Sequence, residues 1–239
     1  MISNRCFILG GGSSIRMGLW NTPIDQLPIW QWLRGEFVIG TNFSELFFPS
    51  TALVCQDYKF IETQEWINKV PLVITTDLSY SKLVKHEKVQ PNIISTNNLE
   101  WQLSGMAALS LAIKIGVPEI FLLGKDATEI NGHTHFYDDT NIGTYKYQGK
   151  VKSGIGKKDN GQYKTGNYNN IKELNNHYYK PFEQALKDGV KIYNVSPLSK
   201  ITTFPKMNYK QLFSYLNYYP EIVEENEIRD EIRKQVPKP

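Results

Sequence analysis

The sequence predicts an α/β fold, Rossmann-like and doubly wound around a mostly parallel sheet, on three observations. Short apolar runs recur along the chain, "CFILG", "EFVIG", "TALVCQD", "PLVITTD", "NIIST", "EIFLLGKD" and "VKIYNVSP", with turn or helix signals between them. Runs of this length without polar alternation are strands covered on both faces. The first run leads directly into three glycines and two serines, "CFILGGGSSI", residues 6–15. Further on, "SGMAALSLAIKIGVPEI" sets a helix directly before the next strand, which is half of a βαβ crossover.

The elements follow in order. The glycine run lets backbone approach a ligand closely, and a helix start behind it aims free N–H groups at an anion. The dinucleotide fingerprint is not met: Ile15 fills its third glycine position, and "EFVIGTN" ends in Thr41 and Asn42 rather than an acid. No Lys follows the glycines, so the Walker pattern fails as well. Residues 20–35, with two prolines and three tryptophans, form an irregular or short-helical insertion beside the first loop. In the long helix, Ser104 is the N-cap candidate, the interior is rich in Ala and Leu, and Gly116 with Pro118 ends it. Residues 129–169, rich in Gly, Asn, Tyr and Lys, are too long for a plain connection and read as a lid. A second helix covers roughly residues 170–187, closed by "DGV" before the last strand. Residues 1–205 are expected to form the nucleotide-binding domain, with 206–239 a helical extension. The charged segment "EIVEENEIRDEIRKQ" carries apolar Ile222, Val223, Ile228 and Ile232 and reads as a docking or oligomer-contact helix.

Composition excludes several function classes. The formal charge of +3 over 239 residues leaves no electrostatic footprint for gripping a nucleic-acid backbone, so nucleic acid is not indicated as a partner. Both cysteines, Cys6 and Cys55, lie in apolar runs, which predicts reduced buried thiols and a cytoplasmic protein. No stretch approaches the ~20 apolar residues of a membrane span, and the N-terminus has no signal-peptide core. Fourteen Tyr and five Trp, many among asparagines, could stack on a base or a sugar.

In an open parallel sheet, ligands bind beyond the carboxyl ends of the strands, near the point where strand order reverses. Polar residues gather at those ends: Gly10, Gly11, Gly12, Ser13 and Ser14; Thr41 and Asn42; Gln56 and Asp57; Thr75 to Asp77; Lys125 and Asp126; Asn194 and Ser196. The helix start at Ser104 and Gly105 joins them. Strand ends are often polar because loops face water. Two glycine-bearing turns with an Asn between them nevertheless suit a combined anion and ribose site. The nucleotide-binding candidates are therefore Gly10 to Ser14, Asn42, Gln56, Asp57, Ser104, Gly105 and Asp126. Asn42 is expected to hydrogen-bond the base or ribose through its two-sided amide, or else to cap the following turn.

The ordered set "FILGGGSSI", "VIGTN", "ALVCQDY", "SGMAALSLAIKIGVPEIFLLGKDA" and "GVKIYNVSPLSKITTFP" resembles the CMP-sialic-acid-dependent sialyltransferases of the Campylobacter type. It also resembles a broader family, found in bacteria and phages, that looks like 6-hydroxymethylpterin pyrophosphokinase. The likeness runs in order over residues 6–205. It implies that Gly10, Gly12, Ser14, Asn42, Ser104 and Gly105 contact a cytidine nucleotide, and that the donor is a CMP-sugar or related nucleotide sugar. Saccharides or other small molecules would be the acceptors. Gly11 stands where that family carries Asn, and its lid histidine has no counterpart in "GKVKSGIGKKDNGQYKTGNYNN". The tyrosines that assist the leaving phosphate there would fall on Tyr137, Tyr145 or Tyr147. The pyrophosphokinase alternative implies ATP and Mg2+, for which Asp57, Asp77 and Asp126 are the rim acids. A non-catalytic nucleotide-binding module is the third alternative. No metal site is expected otherwise, since the pair Asp138 and Asp139 lacks the Asp-x-Asp spacing.

Glycosyl transfer to a hydroxyl needs a base titrating near neutrality, which imidazole supplies. His133 and His135 follow the rim strand in "NGHTHFYDD", and alternate residues of an extended segment face one side. His177 precedes "YYKPF". These three are the catalytic candidates, His135 first, whereas His86 in a Lys-rich loop reads as surface.

Overall fold

A computed structural model describes residues 3–15, 33–46, 48–128, 175–176, 180–217 and 223–236, together with the strand backbones 144–147, 150–153, 158–159 and 162–163. Each apolar run contains a strand: β1 (Arg5–Leu9), β2 (Val38–Thr41), β3 (Ala52–Val54), β4 (Val73–Thr75), β5 (Ile93–Ser95) and β6 (Glu119–Leu123). Two short hairpins follow within residues 129–169, β7 (Thr144–Tyr147) with β8 (Lys150–Ser153), and β9 (Lys158–Asp159) with β10 (Gln162–Tyr163). β11 (Lys191–Asn194) completes the main sheet, whose order is β11-β6-β1-β2-β3-β4-β5. Every pairing within it is parallel.

The chain thus builds outward from β1 to β5 and then crosses back to lay β6 on the other flank of β1. The crossover is helix α3 (Ser104–Lys114), which lies over β1, β2 and β3. Helices α1 (Tyr58–Thr63) and α2 (Asp77–Lys85) precede it in sequence. Alternate strand residues serve opposite layers. Cys6, Ile8, Ile39, Val54 and Ile120 pack with α3, whereas Phe7, Leu9, Leu53, Val73 and Phe121 pack with α1 and α2. Both cysteines are free and buried, as their apolar runs predict, and burial raises the pKa of each.

Two elements differ from expectation. Before β11, the described helical residues from 180 on are a 3-10 turn Lys180–Phe182 leading into the short α4 (Glu183–Lys187), rather than one long helix. Pro181, which donates no backbone hydrogen bond, lies in that turn. The C-terminal residues form α5 (Tyr209–Tyr215) and α6 (Glu225–Gln235). Leu212 and Phe213 bury on the α1/α2 side, and Ile228 and Ile232 on the α3 side. The apolar stripe of the charged helix therefore docks on the chain's own core. Residues 16–32, with the tryptophans of the expected insertion, lie outside the described residues. Among the described residues no helix is long and apolar enough to cross a membrane.

Candidate functional site

Strand order reverses between β1 and β6, so the crevice of an open sheet should lie beyond their carboxyl ends. The glycine loop and the start of α3 meet there, both against the turn that follows β6. Gly10 N–H donates to the Leu123 carbonyl at 2.7 Å and Gly12 N–H to that of Gly124 at 2.8 Å. A Cβ on Gly12 would lie 2.6 Å from the Gly124 oxygen, closer than any side chain tolerates. Gly124 itself sits at φ +67°, in the left-handed region.

Asp126 holds the far end of this loop. Its Oδ2 accepts from the Ser14 N–H at 2.8 Å and its Oδ1 from the Ser14 hydroxyl, all buried. Gly10 and Gly12 are therefore required by approach of chain to chain, and Gly12, Ser13, Ser14 and Asp126 are buried in that contact. This corrects the picture of Asp126 as an open rim acid: the fold uses its carboxylate to pin Ser14. Its charge, after burial, also pushes the Tyr209 hydroxyl pKa up, so that phenol stays protonated.

The open volume lies beside this contact. A cleft of about 720 Å3 runs over the carboxyl ends of β2 to β5, with Asn42, Gln56, Asp57 and Ser104 among its walls. Four predicted residues from three parts of the chain are thus brought together. Ser104 is not the N-cap: Leu103 occupies that position and Ser104 opens the helix. Its hydroxyl accepts from the Gln56 N–H and donates to Asn42 Oδ1, each at 3.3 Å. A side chain engaged across the cleft is not free to close its own helix end. Asn42 sits at φ +52°, a conformation that Asn tolerates better than most residues. Its amide oxygen faces the Ser104 hydroxyl across the cleft, while the Ser44 hydroxyl on the turn behind it accepts from Thr41 N–H at 2.7 Å. Asp57 caps α1, accepting from Lys59 N–H at 2.9 Å.

The opposite wall was not among the predicted site residues. Thr76 caps α2 by accepting from Ser79 N–H at 3.0 Å, and the Ser79 hydroxyl donates to the Gln56 carbonyl at 2.6 Å. Asn97 reaches over from the end of β5 to accept from Asp77 N–H at 3.3 Å. Lys82 stands 4.6 Å above the Tyr58 ring, both lining the cleft. Thr76 and Asn97 follow apolar runs just as Asn42 does, so the rim rule that singled out Asn42 applies to them equally.

Lys125 is the other residue missed. Its Nζ donates to Thr41 Oγ1 at 3.3 Å, and burial pulls its pKa down to about 8 against the opposing pull of Asp126. His86 is at the surface, its Nδ1 2.7 Å from Glu62 Oε1. His133, His135 and His177 lie outside the described residues, as does Tyr137. Of the expected lid, the strand Thr144–Tyr147 runs against α1, whose first residue lines the cleft. Among the described residues no group of three or more His, Cys, Asp or Glu could hold a metal ion.

No protein-family model matches the chain, and no curated protein matches it. Solved structures do. Cst-I, a monofunctional α-2,3-sialyltransferase from Campylobacter jejuni, is 17% identical with a TM-score of 0.50, covering 87% of this chain and 82% of its own. The sialyltransferase CST-II, solved with a trisaccharide acceptor and CMP, is 16% identical with a TM-score of 0.49, covering 85% of each chain. At this identity the likeness to Cst-I is one of fold: this chain is folded as that sialyltransferase is, with a seven-stranded all-parallel sheet flanked by helices.

Proposed function

We propose that this chain is a nucleotide-sugar-dependent glycosyltransferase, sialyltransferase-like, that takes a CMP-sugar or related donor. The observation that carries this reading is the Ser104 hydroxyl joining Asn42 to Gln56 at the wall of a large cleft over the strand ends. Amides and hydroxyls on a rigid rim read the donor and acceptor edges of a base and a ribose. The resemblance of the ordered motifs to the sialyltransferases, and the fold shared with Cst-I, support the same assignment.

Transfer would proceed by attack of an acceptor hydroxyl on the anomeric carbon, with the nucleotide monophosphate leaving. A saccharide or other small hydroxyl compound is the acceptor on this reading. The base that takes the hydroxyl proton is assigned to His135, His177 or His133, in that order, from sequence position. The hairpin strand against α1 supports a lid role for residues 129–169, since the first residue of α1 lines the cleft. The buried free thiols agree with a cytoplasmic setting.

The test is a thermal-shift series with CMP, cytidine and CMP-sialic acid, followed by an assay for CMP release with EDTA present. Stabilisation by CMP and metal-independent release of CMP are expected. Stabilisation by ATP with Mg2+ and none by CMP would overturn the reading in favour of a pyrophosphokinase-like enzyme. His135→Ala, His177→Ala and His133→Ala all retaining full turnover would remove histidine as the base.

A further inference from the structure

The point where strand order reverses holds a group that the cleft chemistry above does not use. Lys125 follows Gly124, and its stem runs between the glycine loop and the start of α3. A Cβ on Gly10 would lie 2.9 Å from its Cδ and Cε, and one on Gly105 would overlap its Nζ. Two glycines on separate elements therefore make room for one lysine.

The ammonium carries three N–H bonds. One goes to Thr41 Oγ1, whose own hydrogen is given to the Leu9 carbonyl at 2.7 Å. The other two have no acceptor among the described residues. Asp126, next in sequence, already spends both carboxylate oxygens on Ser14. The cation instead faces the start of an 11-residue helix. Met106 and Ala107 N–H both close on the Leu103 carbonyl. Those of Ser104 and Gly105 stand at the mouth, where the first N–H groups of a helix have no intrahelical acceptor. A helix start carries about half a positive charge. A half-buried cation thus converges on a second positive pole, an arrangement that repels itself until an anion sits between the two. The ammonium's neighbours Thr41 and Gly105 each adjoin in sequence a residue of the cleft wall, Asn42 and Ser104, so the ammonium lies beside that wall.

We propose that the Lys125 ammonium and the N–H groups of Ser104 and Gly105 together form the binding site for the phosphate of the donor. This rests on the nucleotide-donor reading and adds to it the group that recognises the charge of the donor. Burial holds the amine pKa down to about 8 against the pull of Asp126, so an arriving phosphate raises it and draws a proton onto Lys125.

Isothermal titration of the full chain with CMP, cytidine and inorganic phosphate tests this. Lys125→Met is expected to weaken CMP by roughly tenfold to a hundredfold, the worth of a charge-assisted hydrogen bond, and to leave cytidine unchanged. Lys125→Arg is expected to keep much of the CMP affinity. Near pH 8, about the amine's own pKa, wild-type CMP binding should take up protons, read as heat that varies with buffer ionisation, and Lys125→Met should abolish the uptake. Equal weakening of CMP and cytidine, or CMP binding by the wild type without proton uptake, would overturn the assignment. The latter measurement needs no variant to fold. If the wild type binds neither CMP nor cytidine, the nucleotide reading fails by itself. The anion site then stands or falls on whether inorganic phosphate binds in a Lys125-dependent way.

Discussion

Replacing Lys125 with Met should make the unliganded protein more stable, although it removes a hydrogen bond. The folded pKa of about 8 lies below the ordinary lysine value of 10.5. Below pH 8 both folded and unfolded chains are protonated, and the folded state carries the full penalty of holding that charge. Between about 8 and 10.5 the unfolded chain binds more protons, so stability rises with pH and the penalty disappears. Each pKa unit is worth about 1.4 kcal/mol, which puts the penalty at neutral pH at about 3 kcal/mol. Met keeps an unbranched stem between Gly10 and Gly105 and carries no charge, so most of that amount should appear as added stability. For a chain of this size it corresponds to a rise in Tm on the order of 6–12 °C. Urea denaturation of both proteins at about pH 7 and about pH 10 measures the effect, with the gap between them shrinking as pH rises. Equal stability at both pH values, or a gap that does not change with pH, would refute the account of Lys125 as an ill-placed cation.

Three further outcomes are expected. Ser14→Ala removes a buried hydroxyl from the Asp126 carboxylate and should cost about 1.5–3 kcal/mol by chemical denaturation, the range for hydrogen bonds to charged groups; a loss no larger than that of a surface substitution would mean that Asp126 does not pin the loop. Asn42→Gly keeps the positive φ while deleting the amide, so the Tm should hold while CMP affinity falls about tenfold, as one recognition hydrogen bond predicts. An unchanged Kd would take Asn42 out of the site. Burial pushes the Glu45 carboxyl up to about 6 from 4.5, so the folded state favours the neutral acid. Stability should therefore fall by about 2 kcal/mol as pH rises from 4.5 to 6; Glu45→Gln should lose that slope in denaturant titrations, and a variant retaining it would assign the slope to another group.

The apolar runs and the spacing of the helix between them were enough to place seven parallel strands and the crossover α3, because strands buried on both faces have no polar alternation to disguise them. The rim rule reached Asn42, Gln56, Asp57 and Ser104 for a similar reason: chain direction alone puts every strand end of a parallel sheet on one side. What the chain order could not supply was partnership. Ser104 carries a good N-cap residue type, yet its hydroxyl serves Asn42, 62 residues away, and the helix is left to start without a side-chain cap. A glycine run reads the same whether a phosphate or another backbone approaches it, and only the position of Gly124 and Asp126 after β6 reveals which. Lys125 likewise looks like any other polar residue at a strand end. Its burial between Gly10 and Gly105, and hence its shifted pKa, exists only once three distant segments are folded against one another, because desolvation and convergence of charge are properties of assembled space.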